Sequence, residues 1–295
     1  MSVDPDALRA QLESIDTKMS VTHGSYAVQS AASVPDLDWN HMDPHHRQFV
    51  HGTYGRSLRL CTGKDFQVSI TKYGIWPIFL VVSDVRLRPG LFYQCFSLFG
   101  LVTVISVIRS VEQQSGTRQQ IDWYILSKRL LKFVHPWLSK RIERLNRIQN
   151  EEDKPIRERR CQLRDQGYRF VSDQPDFLVA SSLANNVIPP RLEGEHAVAI
   201  DAASPATLKS FRVGNLEFLY LSDAAGGLKL WPAVCSHEGG PLEKSLIPAT
   251  SGRLKCPWHG MEFKGVHLTR EQPTGFCGGT RLRLEGSHLL ISPES

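Results

Sequence analysis

Two short stretches, VCSHEGGPLEKS at 234–245 and RLKCPWHGMEFKG at 253–265, decide how the second half of this chain is read. Each holds one cysteine and one histidine: Cys235 and His237 in the first, Cys256 and His259 in the second. A C-x-H loop followed by a C-x-x-H loop offers two thiolates and two imidazoles. That donor set suits a [2Fe–2S] cluster in which cysteines hold one iron and histidines the other. Zinc is the weaker reading, because zinc knuckles usually repeat C-x-x-C or H-x-x-H. Gly239, Gly240 and Pro241 follow the first pair, and Pro257 and Gly260 bracket the second. Such residues shape tight loops whose amides can turn toward cluster sulfurs.

The two stretches resemble the Rieske domains of ring-hydroxylating oxygenases. Respiratory Rieske proteins carry an extra cysteine in each loop, joined as a disulfide. The matching positions here are Gly240 and Trp258, and the serine that follows the His-Gly pair in that group is Met261. Fewer donors to the sulfurs imply a low-potential cluster. The resemblance thus implies a domain that hands electrons to an oxygenase site, not one that oxidises quinol. FRVGNLEFLYL, GLKLWPAV and RLRLEGSHLLIS alternate or cluster apolar residues between glycine turns, which predicts an all-β domain.

At 295 residues the chain is long enough for two cores. Its net charge of +5 is mild, but residues 128–165 hold twelve Lys/Arg against six Asp/Glu. A solvated amphipathic face accounts for that excess, with a docking surface for an acidic electron carrier as the sharper reading. No aromatic-basic pattern points to nucleic acid. Cys61, Cys95, Cys161 and Cys277 lack framework spacing and read as reduced thiols of a cytoplasmic protein. MSVDPDALRAQLESIDTKM shows no basic start before an apolar core, so no signal peptide is expected. The uncharged run at 91–108 reaches the length of a membrane span. Gln94, Ser97, Thr103 and Ser106, with Gly100 dividing the run, favour two buried strands instead.

Residues 4–19 read as a short helix with Asp4 as N-cap and Pro5 at its first position. SVTHGSYAVQSAASV reads as a loose connector. RSLRLC, FQVSITKYG, IFLVVSDVRL, LFYQCFSL, LVTVISVIRSV and TRQQIDWYIL read as strands. A long helix follows, with Leu138, Ile142, Leu145 and Ile148 at three- and four-residue spacing. The expected fold class is α+β: a helix-grip-like curved antiparallel sheet with a long C-terminal helix, then an all-β Rieske domain. The expected division is an arm at 1–35, a catalytic domain at 36–172, a linker at 173–192 ending in Pro189-Pro190, and the Rieske domain at 193–295.

A second group of candidate ligands lies in NHMDPHHRQFVHG at 40–52, with four histidines in eleven residues. Two histidines and a carboxylate on one face of an iron leave positions open for oxygen and substrate. By spacing, His41 with His45 and His46 with His51 are equal candidates, and a metal-free surface cluster is the bland alternative. The element Asp43-x-x-His46-x-x-x-x-His51 is similar to the D-x-x-H-x-x-x-x-H element of Rieske non-heme iron oxygenases, most of all the pheophorbide oxygenase-like branch. That resemblance implies His46 and His51 as iron ligands. It makes Asp43 the acidic link to a cluster histidine, His237 or His259, of a neighbouring subunit. IQNEEDKPIRERR resembles the family's stretch for the third ligand, which implies Asp153, with Glu151 and Glu152 as local rivals. Pro155 departs from the helical continuation usual there. So does the order of domains, since the Rieske domain usually comes first.

The implied activity is insertion of oxygen from O2 into an apolar, aromatic or polycyclic substrate. The implied cofactors are a Rieske [2Fe-2S] cluster and a mononuclear Fe(II). Electrons would come from an external NAD(P)H-dependent reductase, directly or through a ferredoxin. The resemblance implies a homo-oligomer, a trimer, and the reading of 91–108 as strands leaves no stable membrane span expected. Ile75, Trp76, Phe79, Phe92 and Phe96 are candidates to line the pocket. The rival expectation is a non-catalytic electron carrier or redox sensor fused to a lipid- or pigment-binding domain.

Overall fold

Seven antiparallel strands form one sheet in the first half, six of them from its apolar or alternating segments. The computed structural model describes residues 5–16, 18–52, 54–63, 65–73, 78–98, 101–173, 185–201, 207–223 and 226–294. The helices are α1 (Pro5–Ile15), α2 (Val34–Met42), α3 (Arg47–Val50) and α4 (His135–Asp165). The strands of the first half are β1 (Met19–Ser30), β2 (Tyr54–Thr62), β3 (Phe66–Tyr73), β4 (Ile78–Arg88), β5 (Leu91–Leu98), β6 (Val102–Gln113) and β7 (Gly116–Lys128). The chain divides into two units, Met1–Cys161 with Gln174–Val179, and Gln162–Asp173 with Ala180–Ser295. The division between the units falls within α4, with residues 162–173 grouped with the second unit. The expected linker lies largely outside the described residues, as do Asp4, Ile75, Trp76 and Gly100.

The sheet of the first unit runs β1-β7-β6-β5-β4-β3-β2, a meander from β2 to β7 with β1 added beside β7. The six expected strands all form. The run at 91–108 becomes β5 and the start of β6, and no helix among the described residues is long and apolar enough to cross a membrane. The loose connector is a correction: Met19–Ser30 pairs with β7 in unbroken register from Met19↔Lys128 to Ser30↔Thr117. Its serines, threonine and glycine hide the alternation that usually marks a strand. Gly24 is required there, because a Cβ would enter the Trp123 ring.

Helix α4 packs on the sheet through Leu138 and Ile142, against a core of Phe92, Val104, Ile108, Ile121, Trp123 and Ile125. Burying each such side chain contributes about 1.5–3 kcal/mol. The Trp123 Nε1–H donates to Ser139 Oγ at 3.1 Å and fixes the register of the helix. Farther along, the buried Arg160 donates to Asp36 Oδ1 at 3.1 Å and lies 4.0 Å over the Trp39 ring. That contact holds α2, and the loop after it, against α4. The helix runs through Pro155, whose missing N–H leaves the Glu151 carbonyl without its helical donor.

The second unit is all β, apart from short 3-10 turns and the end of α4. One four-stranded sheet orders His196–Ala199, His288–Pro293, Thr280–Glu285 and Thr274–Cys277. Another orders Lys209–Val213, Leu216–Ser222, Leu228–Pro232 and Val266–Leu268. The core includes Phe218, Leu230, Leu268, Leu282 and Ile291. Residues 235–240 form a loop closed by the Val234↔Pro241 bridge. Residues 256–261 form the tip of a hairpin between Arg253–Lys255 and Glu262–Lys264.

Candidate metal centres

The two loops of the second unit are built alike. The Cys235 N–H donates to Gly240 O at 2.9 Å, and the Gly239 N–H to Cys235 O at 2.9 Å. In the other loop the Cys256 N–H donates to Met261 O at 2.8 Å, and the Gly260 N–H to Cys256 O at 2.9 Å. Gly239 and Gly260 occupy the same place in each loop, with φ of 85° and 67°. Only glycine adopts that backbone at low cost, which is why each loop has one. The Gly240 Cα lies so close that a Cβ would meet Cys256 Sγ.

Cys235, His237, Cys256 and His259 are buried, and the two imidazoles meet edge to face with centroids 4.5 Å apart. The amides of His237 and Glu238 turn toward the Cys235 sulfur, and that of Trp258 toward Cys256. The neighbouring Cys235 thiol and His259 hold the Cys256 thiol down at about 5, against the effect of burial. Two buried sulfurs and two buried imidazoles, with amides aimed at the sulfurs, fit a [2Fe–2S] cluster with mixed ligands. Glu238, which sequence reasoning passed over, is fully buried and accepts from Asn186 Nδ2 at 3.0 Å.

In the first unit, α3 settles the geometry that spacing left open. It is a single turn, with His46 at its N-cap and His51 at its C-cap, where the His51 N–H donates to Arg47 O at 3.1 Å. A five-residue spacing therefore brings both rings to one side, with centroids 5.3 Å apart. Asp153 on α4 faces them: its Oδ1 lies 3.4 Å from His46 Nε2 and 3.3 Å from His51 Nε2. Among the described residues these three form the one group whose ligand atoms all lie within 4.8 Å of one another. Ligand atoms about 2.1 Å from one ion and at right angles about it stand ~3.0 Å apart. Asp153 Oδ1 is buried and has no hydrogen-bond partner. A cation held jointly by it and the two imidazoles would satisfy it.

Two further carboxylates face the outer ring nitrogens. Glu152 Oε2 lies 2.8 Å from His51 Nδ1, and Asp43 Oδ2 lies 3.7 Å from His46 Nδ1. Asp43 Oδ1 also accepts the His45 N–H at 3.0 Å. The Glu152 contact fixes the His51 ring and its tautomer, leaving its Nε2 lone pair for a metal, whereas Asp43 faces His46 Nδ1 from beyond hydrogen-bond reach. Glu152, read from sequence only as a rival ligand, has this orienting position. Burial would lower the pKa of His46, but Asp153 and Asp43 outweigh it and raise it to about 9. Burial would raise that of Asp153, yet His46 and His51 hold it at about 2. Burial lowers the pKa of His51.

His41 does not join this group. Its Nε2 faces Gln119 Nε2 at 3.1 Å, its ring packs on Phe92, and burial holds its pKa down at about 3. His45 likewise stays outside the group.

A cavity of about 500 Å³ opens beside the three residues. Val82, Phe96, Val104, Ile108 and Ile121 line it from the sheet, and Leu138 and Ile142 line it from α4. Of the described candidates Phe96 lines it, and Phe79 and Phe92 do not. Phe79 is half exposed, on the face of β4 opposite Val82, whereas Phe92 shares the face of Phe96 and is packed in the core with Val104, Ile108 and Ile121. Polar side chains line the cavity as well: Asn40, Gln94, Asn150 and the buried Arg157. Arg157 NH2 donates to Asn150 O at 2.9 Å and Oδ1 at 3.1 Å, while its Nε is buried without a hydrogen-bond partner.

Solved structures with similar folds match only weakly, and their likeness concerns less than half of this chain. Norcoclaurine synthase from Thalictrum flavum matches 41% of this chain and 78% of its own at 14% identity, with a TM-score of 0.35. A START superfamily protein from Mycobacterium smegmatis matches 46% of this chain and 97% of its own at 12% identity, with a TM-score of 0.37. The Zhui aromatase/cyclase from Streptomyces sp. R1128 matches 37% and 70% at 16% identity, with a TM-score of 0.31. No curated protein matches the chain. Residues 197–274, which contain both cysteine–histidine loops, match the family model of the Rieske [2Fe-2S] domain. The chain thus carries a Rieske [2Fe-2S] domain in its second half, and with it the ligands of an iron–sulfur cluster suited to electron transfer.

Proposed function

We propose that this protein is a Rieske non-heme iron oxygenase acting on an apolar, aromatic or polycyclic substrate. The observation that carries the reading is the convergence of His46, His51 and Asp153 at one end of an apolar cavity. Two histidines and one carboxylate on one face are the donor set of oxygen-activating ferrous sites. Bound there, ferrous iron would supply the activation of dioxygen, with electrons drawn from the Rieske cluster. The protein's part is positional. Glu152 holds the His51 imidazole with its Nε2 atom inward, and the Asp43 carboxylate stands 3.7 Å from the outer nitrogen of His46. Val82, Phe96, Val104, Ile108 and Ile121 exclude water and seat an apolar skeleton. Asn40 and Arg157 offer donors to a polar group on it. We assign Asp43 the further role of electron route from His237 or His259 of a neighbouring subunit. An external reductase, directly or through a ferredoxin, recharges the cluster.

The cavity alone would equally suit a ligand-binding domain fused to an electron carrier. Iron content separates the two readings. The oxygenase holds three irons per chain, two in the cluster and one beside the cavity; the carrier holds two. In the oxygenase, His51→Ala removes the third iron and product formation, and leaves the Rieske spectrum intact. Turnover unchanged in that variant would exclude His51 as a ligand.

A further inference from the structure

Between β7 and α4 the chain makes a 3-10 turn, Arg129–Val134, that turns apolar side chains outward. Leu130 is 84% exposed, Phe133 75% and Trp137 62%. Leu130 and Phe133, three apart in a 3-10 turn, lie on one side of it. Trp137, Lys140, Arg141 and Arg144 share a face of α4 by three- and four-residue spacing. Lys128, Arg129, Lys132, Lys140, Arg141 and Arg144 are all exposed around this group. No acidic residue occurs in the sequence between Asp122 and Glu143.

The turn is held from beneath. His135 is buried, with Nδ1 2.7 Å from Thr22 Oγ1 and Nε2 2.7 Å from Ser127 Oγ. The Arg129 N–H donates to Lys18 O at 3.0 Å. The exposed side chains thus stand on a fixed base.

We propose that this face docks on an anionic lipid surface, with Leu130, Phe133 and Trp137 entering the interfacial region and the surrounding cations meeting lipid phosphates and carboxylates. Apolar side chains ringed by Lys and Arg, with a tryptophan at the border, are the chemistry of interfacial attachment. An acidic protein partner would use the cations but has no need of three large apolar groups this far out of the surface. Trp137 and Arg141 also border the cavity. An apolar substrate dissolved in the bilayer would therefore reach the cavity at the docked face. The docking goes beyond the oxygenase reading, since it requires neither the third iron nor turnover.

The test is flotation of the full chain, cluster loaded, with vesicles of phosphatidylcholine alone or mixed with phosphatidylserine. The protein is expected to float with the mixed vesicles, little with the neutral ones, and to be released by salt. Leu130→Ser with Phe133→Ser, neither of which borders the cavity, should weaken binding about tenfold or more at an unchanged Rieske spectrum. Replacing Lys128, Lys132 and Lys140 by glutamine should weaken it roughly fivefold per charge. Failure to float with the mixed vesicles at low salt, or binding that neither variant changes, overturns the proposal. Two other results overturn it in favour of another occupant. One is a change of oligomeric state in the Leu130/Phe133 variant without vesicle binding, which points to a second copy. The other is slower reduction by an acidic electron-transfer protein without vesicle binding, which points to a protein partner.

Discussion

Glu152 and Asp153 are adjacent carboxylates on one helix that face the histidines differently, and the tasks proposed for them can be separated by a metal titration. Asp153 Oδ1 stands 3.3–3.4 Å from both Nε2 atoms, whereas Glu152 Oε2 stands 2.8 Å from the outer nitrogen of His51. Asp153→Asn removes a buried anionic ligand facing a dication. Leaving such a charge without its partner costs about 3–5 kcal/mol, a loss of affinity of about 10²- to nearly 10⁴-fold. Glu152→Gln keeps the shape and an acceptor for the His51 N–H but removes the charge. Partners of ligand histidines are worth about 10- to 100-fold in metal affinity. The Glu152 side chain is 32% exposed, so solvent screens it and the lower end, about tenfold, is expected. The assay is anaerobic competition for Fe(II) between each variant and a chelator, with the Rieske absorption as the control for folding. The reverse order, with Glu152→Gln the more damaging, would make Glu152 the ligand. Equal and small effects would mean that no ion sits here.

Three other outcomes follow from particular contacts. Burial raises the pKa of Asp38 to about 6, against the Gly90 N–H and Arg86, so the folded chain holds that proton more tightly than the unfolded one. This contribution is fully present below about pH 4 and is lost as pH rises to about 6, a fall on the order of 2–3 kcal/mol. Asp38→Asn should flatten that component of a urea-unfolding series across pH, and an unchanged slope would show that Asp38 ionises normally. Glu238→Gln should raise the reduction potential of the cluster by on the order of tens of millivolts, since it removes a buried negative charge beside His237; a potential that stays or falls in protein-film voltammetry contradicts this. Gly24→Ala places a methyl group in the Trp123 ring and should cost about 1–3 kcal/mol of stability, whereas wild-type stability would mean that β1 can yield at that point.

What the sequence made legible depended on how local each signal was. The cluster ligands come from two loops whose cysteine, histidine and glycine spacing is complete within six residues each, so they read directly. The apolar meander from β2 to β7 also read directly, because each strand alternates or stays apolar over its length. The pairing of His46 with His51 did not, since five-residue spacing converges only when one helical turn begins and ends between them. The choice of Asp153 over Glu151 and Glu152 rested on the resemblance alone, for a related reason. Neighbours on a helix point about 100° apart, and only the position of α3 across from α4 says which one faces inward. Strand β1 was missed because its serines, Thr22 and Gly24 give no periodic apolar pattern. What defines it is long-range pairing with β7, and the space that the Trp123 ring takes beside it.

The charges around the histidines also argue for a dication. Asp43, Glu152 and Asp153 bring three negative charges to two imidazoles that are neutral when they act as ligands, and Asp43 and Asp153 are buried. Arg157, buried one turn from Asp153, returns one positive charge. Arg59, beside Asp43, returns another, and the site keeps net negative charge largely removed from water, where uncompensated charge is costly. A divalent cation would offset that charge, whereas a structural core would reach neutrality more simply by dispensing with the carboxylates. Conserving charge in this way leaves the apolar side of the cavity free of counter-ions, so that it can take an uncharged ligand against the open face of the site.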